Sequence, residues 1–206
     1  MSAKAQLRLF PSDPAKMSLE APGADVTVRR QFIDTDETGW ILERLTADLA
    51  WRSDVIRLFG REIPIPRLNA WYGEEGRTYS YSGIRLDPLP WTPLLADLRN
   101  RIGSATGVNF NSVLANLYRN RSDSVGWHAD DEPELGSRPV IASLSFGATR
   151  SLQMRRRDGT HRATVDLHDG DLMVMRGLTQ VLWMLRIPKV SREVDPRLSL
   201  TFRSVL

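Results

Sequence analysis

The sequence predicts a mainly β fold with flanking α-helices, a sandwich or barrel with helices packed outside it. Three observations predict it. After Gly107 the chain breaks into short strand-like runs, VLANLY, PVIASLSFG, RSLQMR, RATVDL, DLMVMR and LSLTFRSVL, separated by turn residues. Before Gly107, two stretches carry apolar residues at helical spacing. Strands that follow the helices as a block, rather than alternating with them, argue against a doubly wound sheet.

Taken in order, residues 1–25 mix Pro, Ser, Ala and Lys without a period and read as a poorly ordered arm. Residues 26–206 read as one domain. VTVRRQFI, from Val26, is a short strand, and Asp34 or Thr35 can cap a helix carrying Trp40, Ile41, Leu45 and Leu49. IPIPRLNAWYG and GRTYSYSG read as hairpins, with Tyr79 and Tyr81 alternating as on a strand. In PWTPLLADLRNRI, Thr92 is the cap, Pro93 the first-turn residue, and Leu94, Leu95, Leu98 and Ile102 form one stripe.

Composition narrows the chemistry. A chain of 206 residues, 41% hydrophobic, suits one core. No apolar run is long enough to span a bilayer, and the start lacks the apolar stretch of a signal peptide, so a cytoplasmic protein is expected, nuclear if eukaryotic, and monomeric. With zero cysteines there is no disulfide, thiolate ligand or cysteine nucleophile, and any metal falls to His and carboxylate. The net charge of +3 leaves a nucleic-acid partner open without demanding one.

Three histidines exist, at 128, 161 and 168. His128 stands two residues before Asp130 in SVGWHADDE, and on an extended segment such positions share a face, so imidazole and carboxylate can converge on one cation. With a second His they would form the facial triad of non-haem Fe(II) oxygenases. In PRLSLTFRSVL, Arg197, Ser199, Thr201 and Arg203 share one strand face, and Leu198, Leu200 and Phe202 the other. Six residues of strand separate the two arginines by about 20 Å at the backbone, a gap that inward-leaning guanidinium arms narrow to the span of a short dicarboxylate. The plainer alternative is an edge strand whose arginines reach water. Asn116 and Tyr118 likewise share a face, opposite Ala115 and Leu117.

From about Pro66 to Leu206 the chain resembles the AlkB family of Fe(II)- and 2-oxoglutarate-dependent dioxygenases. The resemblance rests on PRLNAWYG, YSYSG, PWTPLLADL, FNSVLANLY, WHADDE, IASLSFGATR, DGDLMVM, TQ-x-x-W, IPK and R-x-S-L-T-F-R. It implies a double-stranded β-helix, or jelly roll, over about residues 108–206, with outer helices and an N-terminal nucleotide-recognition lid over about 26–107. Further, it implies that His128 and Asp130 ligate iron, that Asn116 and Tyr118 bind 2-oxoglutarate, and that Arg197 and Arg203 hold its carboxylates. The implied reaction consumes O₂ and 2-oxoglutarate and removes N-methyl groups from DNA or RNA bases, releasing formaldehyde, succinate and CO₂.

One departure bears on that reaction. Where the resemblance places the third ligand, a histidine two residues after the Trp of TQ-x-x-W, this chain has Leu185. Leucine has no donor atom. His161 and His168 lie in polar turns and read as solvated. Val181 and Leu182 make the same segment unusually apolar, and Ser199 stands where the family usually has Asn.

A base inside a duplex must be flipped out before it can react. Tyr79 and Tyr81 are candidates for the pocket wall, Asp131 and Glu132 for acceptors of an exocyclic amine, and Phe59 for a wedge in the stack. Residues 150–162, with Arg150 among them, and Arg67 are candidates for phosphate contact. Two other functions fit the same residues: an AlkB-like nucleic-acid-binding protein impaired in catalysis by Leu185, and a 2-oxoglutarate dioxygenase with a substrate other than nucleic acid.

Overall fold

The computed structural model describes residues 15–58, 61–77, 79–81 and 84–206, with backbone alone for 56–58, 61–63, 79–81 and 84–86. The first half of the chain forms β1 (Lys16–Ser18), β2 (Asp25–Arg29), α1 (Thr35–Asp48), β3 (Val55–Leu58), β4 (Arg61–Pro64), β5 (Leu68–Gly73), β6 (Tyr79–Tyr81), β7 (Ile84–Leu86) and α2 (Pro93–Thr106). The second half adds β8 (Ser112–Tyr118), β9 (Val125–His128), β10 (Ile141–Gly147), β11 (Arg150–Arg156), β12 (Arg162–Leu167) and β13 (Leu172–Arg176). The single turn α3 (Thr179–Leu182), β14 (Trp183–Ile187) and β15 (Arg197–Arg203) complete it.

Seven strands pair in the order β1-β2-β13-β10-β15-β8-β5, and four in the order β12-β11-β14-β9. Both sheets are antiparallel. They enclose a core of Leu114, Ile141, Leu152, Met154, Val165, Met173, Met175, Trp183 and Ile187. This is the jelly roll that the resemblance implied.

On the other side of the seven-stranded sheet, Leu198, Leu200 and Phe202 of β15 join Ile41 and Leu45 of α1 and Leu95, Leu98 and Ile102 of α2 in a second core. The helices are therefore outside, as the sequence predicts. Alternation on β15 does the sorting: its leucines and phenylalanine meet the helices, and Arg197, Ser199, Thr201 and Arg203 line the cleft between the sheets.

The Thr92 hydroxyl accepts from the Leu95 N–H at 3.2 Å, capping α2, and Gly107 ends the helix at φ 71°, a left-handed conformation that costs a glycine little. Asp34 stands at the α1 N-cap without a side-chain hydrogen bond.

Two expectations need correction. Lys16–Ser18, inside the stretch read as an arm, forms an edge strand on β2; a three-residue strand is too short to show a period. Trp40, grouped with the buried face of α1, is 56% exposed, because the stripe facing the sheet is Thr38, Ile41 and Leu45. Residues 1–14 lie outside the described residues.

Candidate functional site

The cleft between the sheets has a volume of about 550 Å³, mouth included. His128, Asp130, Asn116, Tyr118, Arg197 and Arg203 all line it, together with Arg67, Ser143, Ser199, Thr201 and Leu185. Six candidates scattered over the second half of the sequence thus converge on one place.

His128 closes β9. Its Nδ1 lies 2.9 Å from the Gly126 carbonyl, which can only accept, so Nδ1 is the donor in this contact. Asp130 is buried, and its backbone N–H donates to the Gln180 Oε1 at 3.0 Å. Of its carboxylate oxygens, Oδ2 accepts from Arg203 Nη2 at 2.9 Å; Oδ1 meets no hydrogen-bond donor among the described residues. Arg203 therefore meets the carboxylate of Asp130, and the expectation that it simply faces a ligand is revised to that extent.

Arg197 is different. It is 2% exposed, donates from Nη2 to Ser145 Oγ at 2.9 Å, and has its guanidinium carbon 5.3 Å from the centre of the Tyr118 ring. Its Nε and Nη1 find no hydrogen-bond partner among the described residues. Burial pushes its pKa below the ordinary guanidinium value; Tyr118 opposes that shift and nearby Arg150 adds to it. A desolvated cation with two idle donors is an anion seat. The residues thus fit the carboxylate of 2-oxoglutarate.

Arg150 is not the surface phosphate contact that its basic neighbourhood suggested. It is 2% exposed, lies 5.5 Å from the Tyr118 ring, and donates from Nη2 to the carbonyls of Asp123 at 2.9 Å and Pro188 at 2.5 Å. On β11, Arg150 shares the inward phase of Leu152 and Met154. Arg67 is also buried: its Nε donates to Asn116 Oδ1 at 2.7 Å, so it holds the amide in place inside the cleft rather than meeting phosphate outside. Asp131 is exposed and paired with Arg157 at 2.5 Å, which ties up part of its capacity to accept from a base. Glu132 lies between Asp131 and the single 3₁₀ turn Pro133–Leu135 and is half-buried. Phe59 and the side chains of Tyr79 and Tyr81 lie outside the described residues; the backbone puts the two tyrosines at alternate positions of β6.

Leu185 sits on β14 directly across from His128 on β9, 3% exposed and facing the cleft. Among the described residues no group of three or more His, Cys, Asp or Glu side chains gathers around one point. His161 and His168 hydrogen-bond to Thr160 and Thr149 in exposed turns elsewhere. The donor set therefore does not fit a three-ligand iron centre.

Gln180, Ser145 and Trp127 were not singled out from sequence. The first two act on the functional groups, as described above. Trp127 lies on the outer face of the four-stranded sheet, with the guanidinium carbons of Arg155 and Arg186 each 4.5 Å from its ring centre. Arg162 is the register neighbour of Arg155. No ion pair with a carboxylate is found for these three arginines among the described residues, so this face carries positive charge and an aromatic surface together.

A family model described as the 2OG-Fe(II) oxygenase superfamily matches residues 25–203. The human protein named alpha-ketoglutarate-dependent dioxygenase alkB homolog 3 is 47% identical over 184 residues, covering 84% of this chain and 64% of that protein. This chain thus spans a little under two thirds of the length of that relative. Human DNA oxidative demethylase ALKBH2 is 34% identical over 203 residues, covering 94% of this chain and 78% of that protein. The solved structure of OsALKBH1 superposes with a TM-score of 0.62 at 16% identity, covering 89% of this chain and 97% of that one, a likeness of fold.

Proposed function

Because the chain belongs to the AlkB family of the 2OG-Fe(II) oxygenase superfamily, we propose that it is an oxidative demethylase of N-alkylated bases in DNA or RNA whose turnover is limited by its metal site. The family works with Fe(II), 2-oxoglutarate and O₂, and one relative carries DNA demethylation in its name. The observation that carries the reading is the buried Arg197, a guanidinium with two idle donors at the floor of a cleft that also holds His128 and Asp130.

The arginines of the cleft and their partners each have a task in this reading. Arg197 binds one carboxylate of 2-oxoglutarate, and Ser145 and the Tyr118 ring hold the guanidinium in place. Arg203 and Gln180 orient Asp130, and Arg67 orients Asn116. Phosphates are taken by Arg155, Arg162 and Arg186, with Trp127 offering a surface on which an unpaired base can stack. Asp131 and Glu132, beside the cleft, accept from the flipped base.

Leu185 favours a second reading, in which the same scaffold binds alkylated nucleic acid without turning it over. One experiment addresses both. Single-stranded oligonucleotides with and without an N-methylated base are titrated against the protein, and formaldehyde and succinate are measured with Fe(II), 2-oxoglutarate and O₂ present. Preferential binding of the methylated strand with slow product release supports the demethylase. Preference without product supports the binder, and no preference between strands overturns both.

A further inference from the structure

We infer that Leu185 leaves this chain with a two-donor half-site for Fe(II) and makes its cleft a metal-independent seat for short carboxylates, 2-oxoglutarate among them. The inference rests on the reading of Arg197 as a carboxylate seat.

The backbone presents three donor positions and fills two. Leu185 and His128 are directly opposed on neighbouring antiparallel strands, where Cβ atoms stand about 4.5–5.5 Å apart. Both side chains face the cleft, and Asp130 lies two residues beyond His128. An imidazole at position 185 would share an ion with these two; an isobutyl group turns a hydrocarbon surface to it.

Nothing nearby substitutes for the missing donor. The other cleft-lining polar groups are the Asn116 amide, whose Oδ1 is already taken by Arg67 Nε, the Tyr118 phenol, whose ring lies beside the Arg197 cation, the hydroxyls of Ser143, Ser199 and Thr201, cationic arginines, and the thioethers of Met173 and Met175, soft ligands that favour other metals over Fe(II). Gln180 Oε1 is engaged by the Asp130 N–H. Meanwhile Arg203 already balances the charge of Asp130, so the buried carboxylate does not need a metal ion to be stable.

Losing the metal also changes what the cleft can distinguish. A keto acid is told apart from a plain dicarboxylate by chelating a metal through its keto oxygen and adjacent carboxylate at open coordination positions. Without that chelate, recognition falls to Arg197, which reads a carboxylate and nothing of the keto group.

The test uses the full chain and its Leu185→His and Leu185→Ala variants. Binding of Mn(II), an oxygen-stable probe for the Fe(II) site, is followed by the electron paramagnetic resonance of the free ion; 2-oxoglutarate and glutarate are titrated calorimetrically with and without Mn(II). The parent and Leu185→Ala are expected to bind Mn(II) at least ~100-fold more weakly than Leu185→His. In the parent, 2-oxoglutarate and glutarate should bind within about tenfold of each other, unmoved by Mn(II). In Leu185→His, Mn(II) should tighten 2-oxoglutarate alone. Equal Mn(II) affinity in parent and Leu185→His, or a parent in which Mn(II) tightens 2-oxoglutarate, overturns the inference. The parent comparison needs no variant to fold. A parent that binds neither dicarboxylate overturns the Arg197 seat instead, and the Mn(II) titration still scores the half-site.

Discussion

Asp130 and Arg203 form an ion pair at 2.9 Å with each side chain 3% exposed. The pair joins β15 of one sheet to the loop after β9 of the other, so it fastens the two walls of the cleft together. Breaking a buried pair leaves the remaining charge without compensation. Arg203→Met should therefore lower unfolding free energy by about 3 kcal/mol, and the double variant with Asp130→Asn should regain most of the loss. Urea denaturation of the parent, the single variant and the double variant measures it. Equal stabilities of the single and double variants would show that the pair is not coupled.

Arg197 supports a ligand-linked prediction. Saturating 2-oxoglutarate, at a hundred times its Kd and without added metal, should raise Tm by about 5–10 °C. Arg197→Met should abolish the shift while leaving the ligand-free protein no less stable, since it removes a desolvated cation that lacks a counter-charge. A retained shift in that variant would remove Arg197 from the seat.

For the outer face, the double variant Arg155→Ala with Arg186→Ala should weaken single-stranded oligonucleotide binding. It should also reduce the magnitude of the log-log salt slope by about 1.4, the contribution of two phosphates. An unchanged slope would mean that the strand runs elsewhere.

Asp123 gives a pH dependence. Burial by itself raises its carboxyl, but hydrogen bonds from the Arg119 side chain and backbone N–H outweigh that, and the pKa sits below the ordinary carboxylate value. A depressed carboxylate contributes stability at pH above its unfolded value and loses it as the pH falls through the folded one. Acid titration of Tm should show that decline, and Asp123→Asn should flatten its share of it.

Much of the site could be read in the sequence because period-2 alternation is a local property. Leu198, Leu200 and Phe202 against Arg197, Ser199 and Arg203 declare both faces of β15, and Asn116 with Tyr118 does the same for β8. Thr92, Pro93 and Gly107 bracket α2 by cap chemistry alone. Arg150 was misplaced because counting charge along a run ignores phase. Arg150 alternates inward with Leu152 and Met154, whereas Arg155 alternates outward. The burial of Arg67 depends on Asn116 and Ser124, 49 and 57 residues away, and no local pattern encodes that. Gln180 is hidden for the same reason: its partner, the Asp130 N–H, lies 50 residues upstream.

The opposed pair of Leu185 and His128 also bears on heredity. Leucine and histidine codons can differ by a single base. Strand register is held by the whole sheet rather than by one side chain, so the place opposite His128 is set whichever residue stands at 185. From a CUU or CUC codon, a single transversion at the middle base turns Leu185 into a histidine, and the register of β9 and β14 would set that imidazole opposite His128 with no refolding.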